Sequence, residues 1–127
     1  MAVTTARAAV ERFALATGLD GAACPFDTVP PTFPLSWLTA PEVTTSIQRI
    51  LGYDPFGRDA ALVHLDQSIE YQRPLDIDQT YRVAVALVGP DANQLFRIEA
   101  EVADEAGQPV ATLSGGFVRL RDGVAVA

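Results

Sequence analysis

The sequence predicts an α+β domain in which helices come first and an antiparallel sheet follows. Two observations carry this prediction. Apolar residues recur at helical spacing in the first half of the chain, and they alternate with polar residues in the second half. The turns between the alternating segments are polar, which is typical of a meander of strands. At 127 residues the chain is expected to be a single domain, 1–127, with its helices on one face of the sheet.

The first helix is predicted from an apolar face close to the amino terminus. This face consists of Ala6, Ala9, Val10, Phe13 and Ala14. Thr4 or Thr5 is expected to cap the start of the helix, and Gly18 is placed to end it.

A proline-rich loop then leads into a second helical region. Pro34 can begin a short helix through Trp37, and Pro41 can occupy the first turn of a longer helix capped by Thr39. Gly52 is placed to end the longer helix. Its predicted buried stripe consists of Val43, Ile47, Ile50 and Leu51.

The first predicted strand carries the only histidine of the chain, His64. From residue 63 the odd positions are mostly apolar and the even positions are polar, which is the pattern of a half-buried strand. The apolar positions are Val63, Leu65, Ile69 and Tyr71, and the polar ones are His64, Asp66, Ser68, Glu70 and Gln72. This alternation places His64 on the wet face.

Three more strands are predicted after the first. They cover Tyr81 to Leu87, Leu95 to Val102 and Val110 to Arg121. Gly115 and Gly116 in the middle of the last strand predict either a bulge or a close approach of another backbone.

Composition excludes several classes of function. The net charge is −7 and all nine basic residues are arginine, so nucleic acids and anionic membranes are poor partners. The amino terminus carries Arg7, Glu11 and Arg12, so neither a signal peptide nor a membrane span is expected there. Cys24 is the single cysteine, which excludes an internal disulfide and a four-ligand zinc site. A reducing cytoplasm fits best, and no metal or cofactor is expected.

Several segments resemble the hotdog superfamily, and within it the MaoC-like (R)-specific enoyl-thioester hydratases and dehydratases. The matching segments are FALATG at 13–18, VPPTFPLSWL at 29–38, LVHLDQSIEYQRPL at 62–75 and the strand at 78–85. The resemblance implies a hotdog fold, an antiparallel sheet wrapped around a central helix. The third segment has a histidine, and this variant of the segment is similar to that of dehydratase subunits that pair with a second, related subunit.

In active relatives the ATG motif leads into an aspartate and then Asn-Pro-x-His, and the Asp and His position the reacting water. Here Asp20 falls one residue late and no histidine follows before His64. The resemblance therefore implies a subunit that lacks the full catalytic pair. Asp20 and His64 are its candidate catalytic residues, with a turn residue and a solvated or dimer-facing histidine as the alternatives. Cys24 is a candidate nucleophile, or else a buried inert thiol.

The resemblance also implies a substrate-binding segment, at the amino end of the central helix. Its candidate residues are Pro31, Thr32, Phe33, Leu35 and Trp37. In the family this helix end directs backbone amides at the thioester carbonyl. An apolar aromatic stripe is also what an ordinary core contains, so these side chains are core, tunnel wall or both.

Three functions remain open. The first is a subunit that binds an acyl-CoA or acyl-carrier-protein thioester in fatty acid metabolism, as a homodimer or as a heterodimer with a related hotdog subunit. The second is a hotdog thioesterase in which Asp20 or Asp27 activates water. The third is a non-enzymatic thioester-binding module.

Overall fold

A computed structural model describes residues 1–18, 28–52 and 61–126. The helical elements are α1 (Arg7–Ala16), a 3₁₀ helix (Phe33–Thr39) and α2 (Pro41–Leu51). The strands are β1 (Ala2–Thr4), β2 (Ala61–Tyr71), β3 (Thr80–Val88), β4 (Leu95–Ala103), β5 (Pro109–Arg121) and β6 (Val124–Val126). The predicted α+β class is confirmed. Within the described ranges, every helix is too short or too polar to cross a membrane.

The six strands form one curled antiparallel sheet. Its order is β1-β3-β4-β5-β2, and β6 continues the sheet as a hairpin on the end of β5. β1 and β2 are therefore the two edge strands. The sequence did not predict β1 or β6, because each is only three residues long and too short to show a period.

The inner face of the sheet carries the core, and the helices cover that face as predicted. The main cluster joins Val10 of α1 and Phe33 and Trp37 of the 3₁₀ helix to strand residues. These strand residues include Tyr81, Val83, Ala100, Val102 and Leu113. A second cluster packs Val43 and Ile47 of α2 against Phe96 and Ile98 of β4. In β3 and β4 the apolar residues of the alternating pattern are thus the more buried ones, and the residues between them are more exposed.

The start of α1 is held by a distant residue and not by a neighbouring threonine. The N-cap position is Ala6, which has no capping side chain, and Thr4 lies in β1. Thr5 is buried and its hydroxyl donates to the Asp76 carbonyl. The first amide of the helix, that of Arg7, donates to the Asp78 carboxylate at 2.8 Å. The predicted threonine cap is wrong because a tertiary contact satisfies the same donor.

Two expectations for α2 are also corrected. Its N-cap is Ala40 and not Thr39, although Pro41 occupies the first turn and Gly52 ends the helix in a left-handed conformation, both as predicted. Ile50 is 57 % exposed, whereas Val43 and Ile47 are buried against β4. Leu51 is partly buried against the same cluster, so Ile50 is the one residue of the predicted stripe that faces solvent.

The register of β2 on β5 overturns the predicted orientation of His64. His64 pairs with Phe117, Asp66 with Gly116 and Gln67 with Gly115, so Leu65 is an extra residue that forms a bulge. One inserted residue reverses the side-chain alternation from that point on. His64 consequently shares the inner face with Gln67, whereas the prediction placed it with Asp66, Ser68 and Glu70. Leu65, predicted to be on the dry face, is 51 % exposed.

The paired glycines of β5 accommodate side chains and not a second backbone. A Cβ atom at Gly115 would lie 2.6 Å from Gln67 Oε1 and 3.3 Å from His64 Nε2. A Cβ atom at Gly116 would lie 2.6 Å from Asp66 Oδ2, on the other face. The bulge is in β2, opposite the glycines, and each glycine makes room for a polar group of β2.

The outer face carries an ion pair next to Gly116. Arg97 binds both carboxylate oxygens of Asp66, at 2.8 and 3.2 Å, and donates twice to the Ser114 hydroxyl. The hydrogen bond from Arg97 is the main reason that the pKa of Asp66 is lowered from its ordinary value. This exposed network occupies the opposite face of the sheet from His64.

We expect Leu113→Ala to destabilise the protein by about 2–5 kcal/mol, because Leu113 is only 1 % exposed at the centre of the sheet and truncation leaves a cavity. The matched control is Leu15→Ala in α1, where the leucine is 61 % exposed and the change should be within about 0.5 kcal/mol. Urea unfolding followed by the fluorescence of the single tryptophan measures both. Equal unfolding midpoints would show that the core has been misassigned.

We expect the stability advantage of the wild type over Asp66→Asn to depend on pH. The folded-state pKa of Asp66 is lowered from the ordinary value of 3.8. The ionised carboxylate therefore contributes to stability in full above pH 3.8, and this contribution is lost as the pH falls from there through the folded-state pKa. Urea midpoints of the two proteins should differ at pH 7 and converge in strong acid. Glu101→Gln, an exposed carboxyl change on β4, is the control and should show no comparable convergence. A difference that grows on acidification would contradict the pairing with Arg97.

Candidate functional site

Three of the candidate catalytic residues cannot be placed. Asp20, Cys24 and Asp27 lie outside the described residues. The expectations for the segment between Gly18 and Pro30 therefore stay predictions.

The aromatic residues of the predicted substrate-binding segment are core residues. Phe33 and Trp37 are buried and form a chain of ring contacts from Phe13 through to Tyr81. The ring centroids are 5.4 Å apart for Phe13 and Phe33 and 5.8 Å apart for Phe33 and Trp37, both in edge-to-face geometry. Leu35 is half-buried against the same cluster. This chain fixes the 3₁₀ helix to the sheet and to α1.

The same rings also line a cavity of about 350 Å³. Phe13, Phe33 and Trp37 form its apolar side, and the amino-terminal residues 1–4 close another side. The two interpretations of Phe33 and Trp37, core and wall, therefore coincide in this structure.

A second cavity, of about 340 Å³, joins the proline-rich segment to the edge strand. Val29, Pro31 and Leu75 line it together with Tyr71, the last residue of β2. The Tyr71 hydroxyl donates to the Pro31 carbonyl, and burial raises the pKa of the phenol, so Tyr71 stays neutral at physiological pH. Pro31 and Thr32 are exposed, so of the five predicted substrate-binding residues these two are the most accessible.

His64 lies on the inner face of β2 in a defined orientation. Its ring stacks on Phe117 with a centroid separation of 4.5 Å and an interplanar angle of 11°. His64 Nε2 lies 3.1 Å from Gln67 Oε1, and Phe117 in turn stacks on Phe96 of the α2 cluster at 5.7 Å. The side chain is exposed, as predicted for a strand histidine, but its ring is held on two sides.

The inner-face residues of β2 thus form a strip along the strand. His64, Gln67, Ile69 and Tyr71 follow one another along it, and the strip ends at the cavity beside Pro31. Its surface is largely apolar, with one oriented imidazole and one amide. Such a surface is suited to an aliphatic or thioester group that carries a single polar substituent. Among the described residues, no three His, Cys, Asp or Glu side chains come close enough together to hold a metal ion.

Gln67 and Phe117 are site residues that the sequence did not single out, and Gly115 was predicted only to mark a bulge or a close approach of another backbone. One signal could have found them: Gln67 is polar at a position where the alternation calls for an apolar residue. A break in the period of a strand indicates a bulge upstream of it. The glycine pair on the partner strand supplies the second half of that signal.

No protein-family model matches the sequence, and no curated protein matches it. Solved structures do. The (3R)-hydroxyacyl-ACP dehydratase complex HadBC of Mycobacterium tuberculosis matches with a TM-score of 0.70 and 15% identity, over 92% of this chain and 90% of the other. The R-hydratase PhaJ1 of Pseudomonas aeruginosa matches with a TM-score of 0.62 and 15% identity, over 100% and 82%. A thioesterase of Thermus thermophilus, complexed with coenzyme A and Zn, matches with a TM-score of 0.62 and 21% identity, over 82% and 76%.

At these identities the similarity speaks for the architecture and not for a common activity. Each of these proteins pairs a curled antiparallel sheet with a helix, as this chain does. The chain therefore has the hotdog fold.

Proposed function

We propose that this protein is an acyl-thioester-binding hotdog subunit of the MaoC-like hydratase and dehydratase type, which works with a partner subunit. The observation that carries the proposal is the match to HadBC over about nine tenths of both chains, with a TM-score of 0.70. The similarity to PhaJ1, a second protein of hydratase type, supports it. The sequence motif at 62–75, which forms β2 and the turn after it, points to the same group.

The proposed binding surface is the flank between the proline-rich segment and β2. Pro31 and Thr32 offer exposed contacts there, and Phe33, Leu35 and Trp37 supply the apolar packing behind them. The carrier is coenzyme A or an acyl-carrier protein, since both present the same phosphopantetheine thioester. We also propose a cytoplasmic location and a role in fatty acid metabolism, on the strength of the sequence resemblance alone.

The catalytic pair is proposed to come from the partner. General acid–base catalysis needs a base within about 3 Å of the water proton and a second group that shares the proton. The only histidine of this chain lies on β2, and Asp20 is the nearest counterpart of the family aspartate. A related hotdog subunit with an intact Asp and His pair would complete the reaction.

A thioesterase is the second candidate, because proteins named as thioesterases share the fold, including the one bound to coenzyme A. In that case Asp20 or Asp27 would activate water at the carbonyl. A non-enzymatic module that binds thioesters is the third candidate. The three differ in what the isolated chain does to a thioester: hydration, hydrolysis or binding alone.

We expect acyl-CoA to stabilise the isolated protein in a thermal-shift assay. A ligand at about 100 times its Kd adds about 2.7 kcal/mol, which raises the Tm by several degrees. Coenzyme A without an acyl group is the matched control and should raise the Tm less. The assay is run with and without the product of a neighbouring gene that encodes a related subunit.

We expect the isolated protein to hydrate crotonyl-CoA only weakly, and the rate to rise when the partner subunit is added. Loss of the enoyl absorbance measures hydration, and release of free thiol measures hydrolysis in the same samples. Thiol release without hydration would select the thioesterase. Strong hydration by the isolated chain that survives both His64→Ala and Asp20→Ala would show that the site lies elsewhere.

We expect the protein to dimerise through its edge. β2 is an eleven-residue edge strand, and an uncovered edge exposes a row of unpaired backbone donors and acceptors. Leu65→Lys places a charge on that strand and should shift a dimer towards monomer in sedimentation velocity at micromolar concentrations. Leu15→Lys, at an equally exposed leucine of α1, should leave the dimer intact. A wild type that is strictly monomeric would contradict the prediction.

A further inference from the structure

The His64 and Gln67 side chains form a hydrogen-bonded pair in a defined position on the inner face. Four separate features hold it there. The Leu65 bulge turns His64 onto this face, Gly115 leaves room for the Gln67 amide, Phe117 stacks on the imidazole, and Gln67 binds its Nε2. The buried strand residues of the two core clusters lie mainly on β3, β4 and β5, and Phe117 packs against the second cluster.

The hydrogen bonds fix which nitrogen of the imidazole carries the proton. The Gln67 amide nitrogen donates to the Ser68 carbonyl, so its oxygen is the atom that faces His64. An amide oxygen only accepts, and the bonded Nε2 must therefore be the donor. In the neutral ring the second nitrogen, Nδ1, then holds a lone pair. Gln67 is the only hydrogen-bond partner of His64 within the described ranges, so Nδ1 is left as an acceptor.

The imidazole lies on an apolar floor, and the charged groups at neighbouring register positions are Asp66, Arg97 and Arg119. Phe117 and Phe96 form a stacked floor that continues into the α2 cluster. Asp66 and Arg97 are close in sequence or register, but they neutralise each other on the opposite face. Arg119, the next inner-face residue of β5 beyond Phe117, is buried and not available at the surface. A hydrogen-bond acceptor above an apolar floor matches a hydroxyl group on an otherwise aliphatic chain.

We propose that His64 and Gln67 form a hydroxyl-recognition site, in which Nδ1 of His64 accepts a hydrogen bond from the hydroxyl of a 3-hydroxyacyl thioester and Gln67 acts as a positioning residue. This inference rests on the proposed function, because it takes a thioester as the ligand. It adds the residues that distinguish a hydroxylated acyl chain from a saturated one. A site built to bind a hydroxyl discriminates against the analogue that lacks it, because the acceptor is left unpaired.

The test compares binding of (R)-3-hydroxybutyryl-CoA and butyryl-CoA by calorimetry. The wild type should bind the hydroxylated probe about tenfold more tightly, the value of one net hydrogen bond. His64→Phe keeps the ring stack on Phe117 but removes the nitrogen, and should abolish the preference for the hydroxylated probe. Gln67→Ala should reduce the preference. Glu70→Gln, on the outer face of the same strand, is the control and should retain it.

A spectroscopic readout tests the geometry independently of affinity. The chain has one histidine, so its imidazole ¹⁵N signals need no assignment. In the neutral ring, Nε2 should be protonated and Nδ1 unprotonated. The chemical shift of Nδ1 should change when the hydroxylated probe is added and not when butyryl-CoA is added. In Gln67→Ala, both tautomers of the ring should be populated.

Four results would overturn the inference. The first two are equal binding of the two probes by the wild type and a preference that survives His64→Phe. The third is a proton on Nδ1 of the neutral ring. The fourth is a change in the sedimentation of the His64 or Gln67 variants, which would place the pair in a subunit interface. In the first two cases acyl-CoA still binds and the proposed function stands. If neither probe binds, with or without the partner subunit, the proposed function fails and the hydroxyl site fails with it.

Discussion

The pairing of β2 with β5 is the constraint on which the candidate site depends. β5 is bonded to β4 along one side and to β2 along the other, so its residues fix the register of an edge strand that has no second neighbour among the described residues. The Leu65 bulge lies between the pairs His64–Phe117 and Asp66–Gly116, next to the two positions where β5 has no side chains. A register shift is tolerated there because the glycines leave space on both faces for the residues that it rearranges.

This arrangement separates two kinds of polar group within one short segment. Asp66 points to the outer face, where Arg97 neutralises it and Ser114 completes the network. Gln67 points to the inner face and orients His64. The exposed ion pair contributes modestly to stability, as surface pairs do, and also removes the nearest charges from the inner face. The imidazole is left as an oriented group beside apolar side chains.

The aromatic segment shows that a core role and a lining role are compatible. Phe33 and Trp37 join α1, the 3₁₀ helix and β3 through ring contacts, and both rings also line a cavity. Fixing the wall of a cavity to the core keeps the shape of the cavity, which lowers the entropic cost of binding a flexible ligand. The same residues therefore belong to the core and to the wall of the cavity.

The sequence by itself determined the class of the fold, the order of its elements and the extent of α2, β3 and β4. These elements are long enough for their periods to be read, and their apolar faces are the faces that the core buries. The hotdog resemblance of residues 62–75 is likewise a feature of the sequence. About the chemistry, the sequence could say only that one histidine lies in a strand and that the family aspartate and histidine are not in their usual places.

Only the tertiary structure decided the points that depend on distant partners. The first amide of α1, that of Arg7, donates to the carboxylate of Asp78, which is 71 residues away in the sequence. A capping rule that considers only neighbouring residues cannot find this partner. β1 and β6 are strands because β3 and β5 offer them hydrogen bonds, not because their own residues alternate. The face of His64 was decided in the same way. A period of two assumes an uninterrupted ladder of backbone hydrogen bonds. The bulge that interrupts this ladder lies beside Gly115 and Gly116 of β5. The orientation of the imidazole therefore depends on how β2 pairs with β5, and it cannot be read from either strand alone.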